Sequence, residues 1–514
     1  MNTKHTKILI SSFIVLLLIS GCTEEFLELD DPNRVTTEKF WKTEGDLEGG
    51  VIAAYKALSE HGDGSYYMRT NPQLTEGKTE NFNVSTDVIT RYDIGSYINT
   101  VSNKNSALVF RYLYIGIFRA NQVIFYGPQV EEIDEEARNI MIGEGHFLRG
   151  LNYFHLANEF GAVPITLELA KTSEDYFQEK ATKQQVWEQV ISDWDAAESV
   201  LPLSWPAQWQ GRATKGAAIA WKGRAYVYQE KWNEAITEYE KLVNNEGTYG
   251  YDLMEDYAHL WDGQHENCKE SIFEIQYSRD RPNVWGGRSA TSTVYPQEVC
   301  SNEAGGWEEI LPTPALLRAM TKEKTVDDTF DPRAKATIAW DYPGCIHYQE
   351  KFDSVYADEL AEGDTVVHNR KNCHWWDTDE ADWRSELNEI PMRYADVLLG
   401  LAEAYTMTGQ VDKAVPLVHR IRARANLVDK QATMNGWTQN EMMEEIMHQR
   451  NVEFTREFIH FFDLRRWGTL EQVVKSARSL GWENYTSRYE YYPIPEDELN
   501  ANPKIEQNEA WRGF

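Results

Sequence analysis

A pair of helical patterns in residues 213–244 constrains the fold of this chain more than any other feature. Gly223 lies inside the first pattern, where a glycine costs ~1 kcal/mol relative to alanine, so we expect a neighbouring helix to approach closely there. We predict that Ala235 faces it. The polar residues 229–231 separate the two patterns. In the second, an apolar residue recurs every three or four positions, as in an amphipathic helix: Trp232, Ala235, Ile236, Tyr239, Leu242 and Val243.

The same spacing recurs in residues 392–426. Tyr226 lies nine residues before Ala235, and Tyr405 lies nine residues before Ala414. The arrangement resembles the tetratricopeptide helix pair, in which small and aromatic positions let two antiparallel helices nest. The two tyrosines are 179 residues apart (405 − 226), far more than neighbouring ~34-residue repeats require. We therefore predict a mainly α protein, with a tetratricopeptide-like scaffold from both ends of the chain and another region inserted between them.

The N-terminus has the pattern of an export signal. Lys4 and Lys7 precede an apolar run at residues 8–19, which is too short for the ~20 residues that span a bilayer. The run ends at residues 19–22 in a sequence that resembles a bacterial lipobox, which makes Cys22 the acylated first residue of the mature protein. The alternative is an ordinary secretory signal with a chance cysteine. The acidic residues after Cys22 resemble the signal that sends lipoproteins to the outer face of the outer membrane.

The charge of the chain argues against a nucleic-acid partner. The formal net charge is −31, whereas proteins that bind nucleic acid carry basic faces that neutralise phosphates. The acidic balance is typical of a well-solvated surface.

Four further cysteines lie between the two helix-pair copies. In an exported protein they can form two disulfides, with three possible pairings. No Cys-x-x-Cys spacing occurs, which argues against a cysteine zinc site. Their clustering indicates that this segment is a unit of its own. These residues are Cys268, Cys300, Cys345 and Cys373.

Separated motifs stand in order along the chain at residues 29–41, 144–164, 393–405, 462–468 and 492–508. Together they resemble the motifs of the SusD/RagB family of surface lipoproteins. One departure falls at residues 457–460, where the usual Glu-Gly-x-Arg of the family reads Glu-Phe-Ile-His. The similarity covers both ends and the middle of the chain.

The resemblance implies a domain division and a function. It implies a signal peptide (1–21), an N-terminal part of the scaffold (22–245), an inserted loop-rich ligand-binding region (246–385) and a C-terminal part of the scaffold (386–514). It also implies a protein lipid-anchored at the surface of the outer membrane that binds an oligosaccharide for a SusC-like TonB-dependent transporter. We expect neither catalytic activity nor a cofactor or metal.

Two alternatives to a glycan-binding protein stay open. One is peptide capture, as RagB-like members are thought to perform. The other is a lipid-anchored glycoside hydrolase, which needs only two well-placed carboxylates. A crowded charged stretch near the C-terminus invites that second interpretation, but its spacing favours structural ion pairs on a helix surface. The stretch contains Glu453, Arg456, Glu457, Asp463, Arg465 and Arg466.

The candidate ligand-binding residues are aromatic residues that stand among turn residues. Trp307 follows two glycines and Trp285 precedes two, Tyr295 precedes a proline, and Tyr92 and Tyr97 flank a turn. We predict that they form an exposed platform with Trp307 as its main member. A flat ring matches the apolar C–H face of a sugar, while nearby polar side chains can pair with the hydroxyl groups.

Overall fold

The computed structural model describes residues 40–59, 66–67, 71–279, 292–380, 382 and 384–513. The predicted signal peptide and Cys22 lie outside these ranges. None of the helices within them has both the length and the apolar character needed to span a bilayer.

The prediction of a mainly α protein is confirmed. The N-terminal helices are α1 (Glu44–Ser59), α2 (Asn71–Glu76), α3 (Ile89–Gly95), α4 (Lys104–Tyr126), α5 (Glu135–Glu159), α6 (Lys183–Val200), α7 (Lys215–Tyr228) and α8 (Trp232–Val243). The helices in the middle of the chain are α9 (Glu246–Tyr249), α10 (Tyr295–Val299), α11 (Pro314–Met320), α12 (Pro332–Thr337), α13 (Phe352–Val355) and α14 (Ala357–Glu362). The C-terminal helices are α15 (Tyr394–Met407), α16 (Val411–Arg424), α17 (Gln431–Met434), α18 (Gln439–Phe454), α19 (His460–Arg466), α20 (Leu470–Ala477) and α21 (Glu496–Ala501).

The strands are short and form antiparallel pairs. β1 pairs with β3, β2 with β8, β4 with β7 and β5 with β6. The β2–β8 pair joins a strand of the predicted middle region to a strand that follows it, directly before α15. The division of the chain at residues 245 and 385 stays a prediction. The strands are β1 (Phe82–Val84), β2 (Ser271–Ile275), β3 (Ile310–Pro312), β4 (Ile338–Trp340), β5 (Ile346–His347), β6 (Glu350–Lys351), β7 (Val367–Asn369) and β8 (Glu389–Arg393).

The predicted helix pair is present as α7 and α8. The Thr214 hydroxyl caps the start of α7 by accepting a hydrogen bond from the Ala217 amide at 3.1 Å. Between the helices the chain turns through Glu230, which has a left-handed φ of 57°. The helices therefore begin and end where the apolar pattern and the polar break at residues 229–231 place them.

Tyr239 joins the two helix-pair copies. Its buried ring lies against Gly223 of α7 on one side and Gly400 of α15 on the other. A Cβ atom on Gly223 would overlap the ring, and one on Gly400 would lie 2.8 Å from its Cε2 atom. The prediction of a close approach at Gly223 is therefore correct, but the predicted partner, Ala235, is wrong. A whole aromatic ring fills the space that the two glycines leave.

The charged stretch near the C-terminus forms buried ion pairs. Glu453 accepts from Arg393 at 2.6 Å and from Arg333 at 2.9 Å, and it also binds Arg424. Burial alone would raise the pKa of the Glu453 carboxyl, but the three guanidinium groups more than offset it and hold that pKa well below its usual range. The structural interpretation is confirmed for Glu453, whereas the expected position on a helix surface is wrong.

A second buried network connects the two ends of the chain. Asp396 of α15 accepts from Arg224 of α7 and from Arg450 of α18, both at 2.8 Å. Arg450 continues to Asp463 at 2.7 Å, and Asp463 accepts from Arg466 at 2.9 Å. These ion pairs compensate each charged group for the hydration that it loses on burial. They also link α7, α15, α18 and α19 to one another.

The four cysteines in the described part of the chain are free thiols, so the possible disulfides do not form. Cys300 and Cys373 lie in one apolar cluster and Cys345 lies in another. Cys268 packs at the edge of a third cluster.

Candidate functional site

The candidate site lies where the middle region joins the N-terminal scaffold. β1 and β3 run antiparallel there, with Phe82 opposite Pro312 and Val84 opposite Ile310. Phe82 and Ile310 are buried, whereas Asn83 between the two inward positions of β1 is exposed, which is the alternation of a strand with one buried face. The strand pair fixes the position of the loop that leads into β3.

That loop, residues 300–309, folds back on α10. The Trp307 amide donates to the Gln297 carbonyl oxygen at 2.9 Å. Gly306 permits the approach, because a Cβ atom there would overlap the Cys300 carbonyl group. Gly306 is therefore needed for the close approach of the loop to Cys300. The backbone of Trp307 is fixed by the hydrogen bond from its own amide.

Trp307 and Tyr92 are both half-buried, and their neighbours connect them. Arg91, beside Tyr92 on α3, forms an ion pair with Glu309, which lies two residues after Trp307. The Glu309 carbonyl oxygen also accepts from the Ser85 amide at 3.0 Å, just beyond β1. The structure thus brings the α3 segment and the Trp307 loop to the same edge of the β1–β3 pair. Both residues are only partly exposed, whereas the sequence predicts an exposed platform, and their role in ligand binding stays a prediction.

The predicted exposure of Tyr295 is wrong. Its side chain is 1% exposed, packs edge-on against Phe458 at 6.0 Å between ring centroids, and lies 4.9 Å from the Arg456 guanidinium carbon. The sequence predicts a surface turn at Pro296, but this proline lies in the first turn of α10, a position where proline is favoured.

The predicted exposure of Tyr97 is also wrong. The residue has a left-handed φ of 57° and is 1% exposed. Its hydroxyl donates to the Lys78 carbonyl oxygen, and its ring packs against Tyr485 and Tyr489 from the end of the chain. Tyr485, nearly 400 residues later in the sequence, therefore covers this turn. Trp285, the remaining member of the predicted platform, lies outside the described residues.

Two further tryptophans lie in a segment, residues 374–380, whose end contacts the Trp307 loop. Trp375 and Trp376 are half-buried at residues 374–380, and the Glu380 amide donates to the Ala304 carbonyl oxygen at 2.9 Å. The sequence feature that could have identified them is a pair of adjacent tryptophans followed by the acidic residues 377–382. We call residues 300–308 and 374–380, together with Tyr92, the loop surface.

A buried ion pair between His374 and Glu380 lies within the loop surface. Burial would lower the pKa of His374, but hydrogen bonds to Glu380 and Glu386 outweigh it and raise the pKa to about 9. His374 is therefore a cation at neutral pH, with its Nδ1 atom 2.9 Å from Glu380. Burial raises the pKa of Glu308, which accepts from the Asn302 amide group at 2.7 Å.

This arrangement is suited to binding and orienting a polar, flat-faced ligand. Half-exposed rings offer apolar faces for stacking, and the carboxylates and amides around them can accept or donate hydrogen bonds. A cleft of about 420 Å³ lies elsewhere on the protein. It is lined in part by Phe118 and Tyr176, which are 51% and 67% exposed, and by no residue of the loop surface.

The fold and the site together define a helical-repeat protein that presents a loop-rich region on its scaffold. Residues 269–511 match the model of the SusD family, and residues 25–227 match the family model described as starch-binding associating with outer membrane. The chain belongs to the SusD family.

Relatives match nearly the whole chain. A crystal structure of a SusD superfamily protein from Bacteroides vulgatus is 34% identical, with a TM-score of 0.84, over 92% of this chain and 100% of that chain. The starch-binding protein SusD of Bacteroides thetaiotaomicron is 24% identical over 100% of both chains. A laminarin binding SusD-like protein is 23% identical, with a TM-score of 0.73, over 92% of this chain and 100% of that chain.

Proposed function

We propose that this chain is a lipoprotein of the outer membrane that binds an oligosaccharide and delivers it to a SusC-like TonB-dependent transporter. The observation that carries the proposal is the end-to-end similarity to a protein named as starch-binding. The description of the N-terminal family model, which includes association with the outer membrane, supports the location. Acylation of Cys22 would supply the anchor, because stable attachment takes more than one acyl chain and a lipoprotein cysteine carries two or three.

The loop surface is the proposed binding site. Main-chain hydrogen bonds from Trp307 to Gln297 and from Glu309 to Glu298 fix the backbone of this loop before any ligand arrives, so little backbone entropy is lost on binding. Tyr92, Trp375 and Trp376 would extend the contact. Aromatic anchors of this kind dominate the affinity of many interfaces.

Binding without hydrolysis is the proposed activity. Glu453 and Asp463, the carboxylates that a hydrolase interpretation would first use, are buried and committed to arginines. A general acid and base pair instead needs two accessible carboxyls whose pKa values differ.

The proposal is tested with a Trp307→Ala variant and a panel of polysaccharides that includes starch and laminarin. We expect retardation of the wild-type protein in a gel that contains its glycan, and a loss of about fivefold or more in affinity for the variant by calorimetry, which corresponds to ~1 kcal/mol. Because Trp307 is half-buried against the main core, the variant should also melt at a somewhat lower temperature. A Trp307→Phe variant restores a ring and should recover part of the affinity.

The matched control is Tyr176→Ala, which removes a more exposed aromatic residue from the 420 Å³ cleft. It should bind as the wild type does. Full affinity in Trp307→Ala with a loss in Tyr176→Ala would move the site to the cleft. Binding of peptides and no glycan would favour the RagB-like alternative, and new reducing ends after incubation would show a hydrolase.

A further inference from the structure

Three residues in the middle region place metal-binding atoms together, away from the loop surface. The segment Tyr257–Trp261 is a 3₁₀ helix, and Asp262 follows it directly. In a 3₁₀ helix the side chains at i and i+3 eclipse each other, so His259 and Asp262 share one face. Leu260 and Trp261 between them are buried in an apolar cluster, which anchors the helix and leaves that face toward solvent.

A tight turn then brings a third residue back to the same place. Gly263 has a left-handed φ of 67°, and a Cβ atom there would lie 2.8 Å from Leu387. Asp262 Oδ1 accepts from the amides of Gln264 and His265 at 2.8 and 3.2 Å, which closes the turn. Asp262 Oδ2 is left to contact His265 Nδ1 at 2.8 Å.

The result is a cluster of two imidazoles and one carboxylate on a fixed backbone. One ligand atom from each of His259, Asp262 and His265 lies within 4.8 Å of the others. The two imidazole rings are nearly parallel, with centroids 4.2 Å apart. His265 is 40% exposed on its side chain and Asp262 is 22% exposed, so an ion can reach the cluster from solution.

The donor set and the spacing suit a first-row transition metal. Zn²⁺ takes His nitrogen and Asp oxygen atoms at ~2.0 to 2.2 Å, which puts two ligand atoms of a tetrahedron about 3.3 Å apart. The contact between Asp262 and His265 needs to open by only about half an ångström to reach that edge. Two histidines and one carboxylate leave one position for water or an outside ligand, and soft or all-oxygen metals fit this set less well.

We propose that His259, Asp262 and His265 form a site for a divalent first-row transition metal ion of the zinc class. The site is independent of the proposed glycan binding. The sequence predicts no metal for this chain, since it lacks the Cys-x-x-Cys spacing of a cysteine zinc site, whereas the residues here stand as His-x-x-Asp-x-x-His.

The test is calorimetric titration of Zn²⁺ into chelator-treated protein that carries no histidine tag. We expect one Zn²⁺ per chain and an affinity that falls by about tenfold or more in both His259→Ala and His265→Ala. The Co²⁺-loaded wild-type protein should show the strong visible absorption of a tetrahedral ion, and both variants should lose it.

The control is His419→Ala, which removes a half-buried histidine of α16 that lies 3.4 Å from Asp429. This variant should leave the zinc affinity unchanged. In the presence of chelator, all three variants should have the melting temperature of the wild type, because these side chains are partly exposed. Wild-type zinc affinity in the double variant His259→Ala/His265→Ala would overturn the proposal. An equal loss of zinc affinity in the His419→Ala control would also overturn the proposal.

Discussion

The helical scaffold and the loop surface relate sequence to structure in different ways. In the scaffold, the stripe on α8 predicts the inward face of the helix, where Ala235, Tyr239 and Leu242 are buried. Tyr239 fills the space left by Gly223 of α7 and Gly400 of α15, the glycine slot. In the loop surface and beside it, turn residues predict exposure, yet Tyr295 and Tyr97 are 1% exposed while Trp307 is half-buried.

The difference teaches that periodicity and turn composition carry different information. A helical stripe reports burial directly, because it records the face that the helix turns to its neighbours. A turn residue reports only the local direction of the backbone. Whether the adjacent side chain is exposed depends on what packs over the turn, as the C-terminal Tyr485 does over Tyr97.

The largest effect is expected in the scaffold, from Glu453→Gln. The change keeps the shape of the side chain but leaves Arg333, Arg393 and Arg424 without their shared buried carboxylate. Removing one partner of a buried ion pair costs ~3 to 5 kcal/mol in the free energy of unfolding, measured by denaturant titration. The folded-state pKa of Glu453 is depressed, so the contribution is present above the unfolded pKa of ~4.3 and is lost as the pH falls.

Glu471→Gln is the matched control for this variant. Glu471 pairs with Lys475 on α20, where both side chains are mostly solvated, and such pairs contribute less than ~1 kcal/mol. Equal unfolding free energies for the two variants would contradict the view that the buried network stabilises the scaffold.

A smaller loss is expected when the glycine slot is filled. Gly223→Ala places a methyl group in the Tyr239 ring, and overpacking of this kind costs ~1 to 3 kcal/mol. Thermal unfolding should show a lower midpoint. Gly247→Ala adds the same atom to α9, where nothing lies within 4 Å, and should leave the midpoint unchanged or slightly raised. A wild-type melt for Gly223→Ala would mean that α7, α8 and α15 do not meet at Tyr239.

The smallest effect is expected in the loop surface and has the opposite pH dependence. The pKa of His374 is raised to about 9 in the folded protein, against ~6.5 in the unfolded chain. Its contribution is therefore complete below pH ~6.5 and is lost as the pH rises through 9. Because Glu386 is 40% exposed and partly screened, we expect on the order of 1 to 2 kcal/mol.

Unfolding titrations from pH 6 to pH 9.5 on the wild type and on His374→Gln measure this contribution. The stability difference between them should shrink as the pH rises. His419→Gln serves as the control, and a pH-independent difference for His374→Gln would show that the charge of His374 does not stabilise the loop surface.

Particular residues show how far the sequence alone leads. The helix pair at 213–244, its second copy at 392–426 and the family motifs suffice for a mainly α fold and for the SusD family, because helical periodicity is a local property of the chain. The close approach at Gly223 is also visible in the sequence, since a glycine inside a helix is destabilising unless a neighbour requires the space. Its partner Tyr239 is not visible there, because Ala235 and Tyr239 both lie on the apolar stripe of α8 and the stripe does not say which of them meets Gly223.

Tertiary structure alone decided the character of the site. Phe458 stands with a φ of 62° where the related motif has glycine, and its ring covers Tyr295, so a single local departure accompanies the burial of a predicted platform residue. The same holds for the cysteines, of which Cys300 and Cys373 share one apolar cluster as free thiols. It also holds for the metal-binding cluster, which His265 joins because the chain turns at Gly263. Sequence determines local conformation and the pattern of burial along each helix, whereas the contacts between distant segments depend on packing that no local pattern contains.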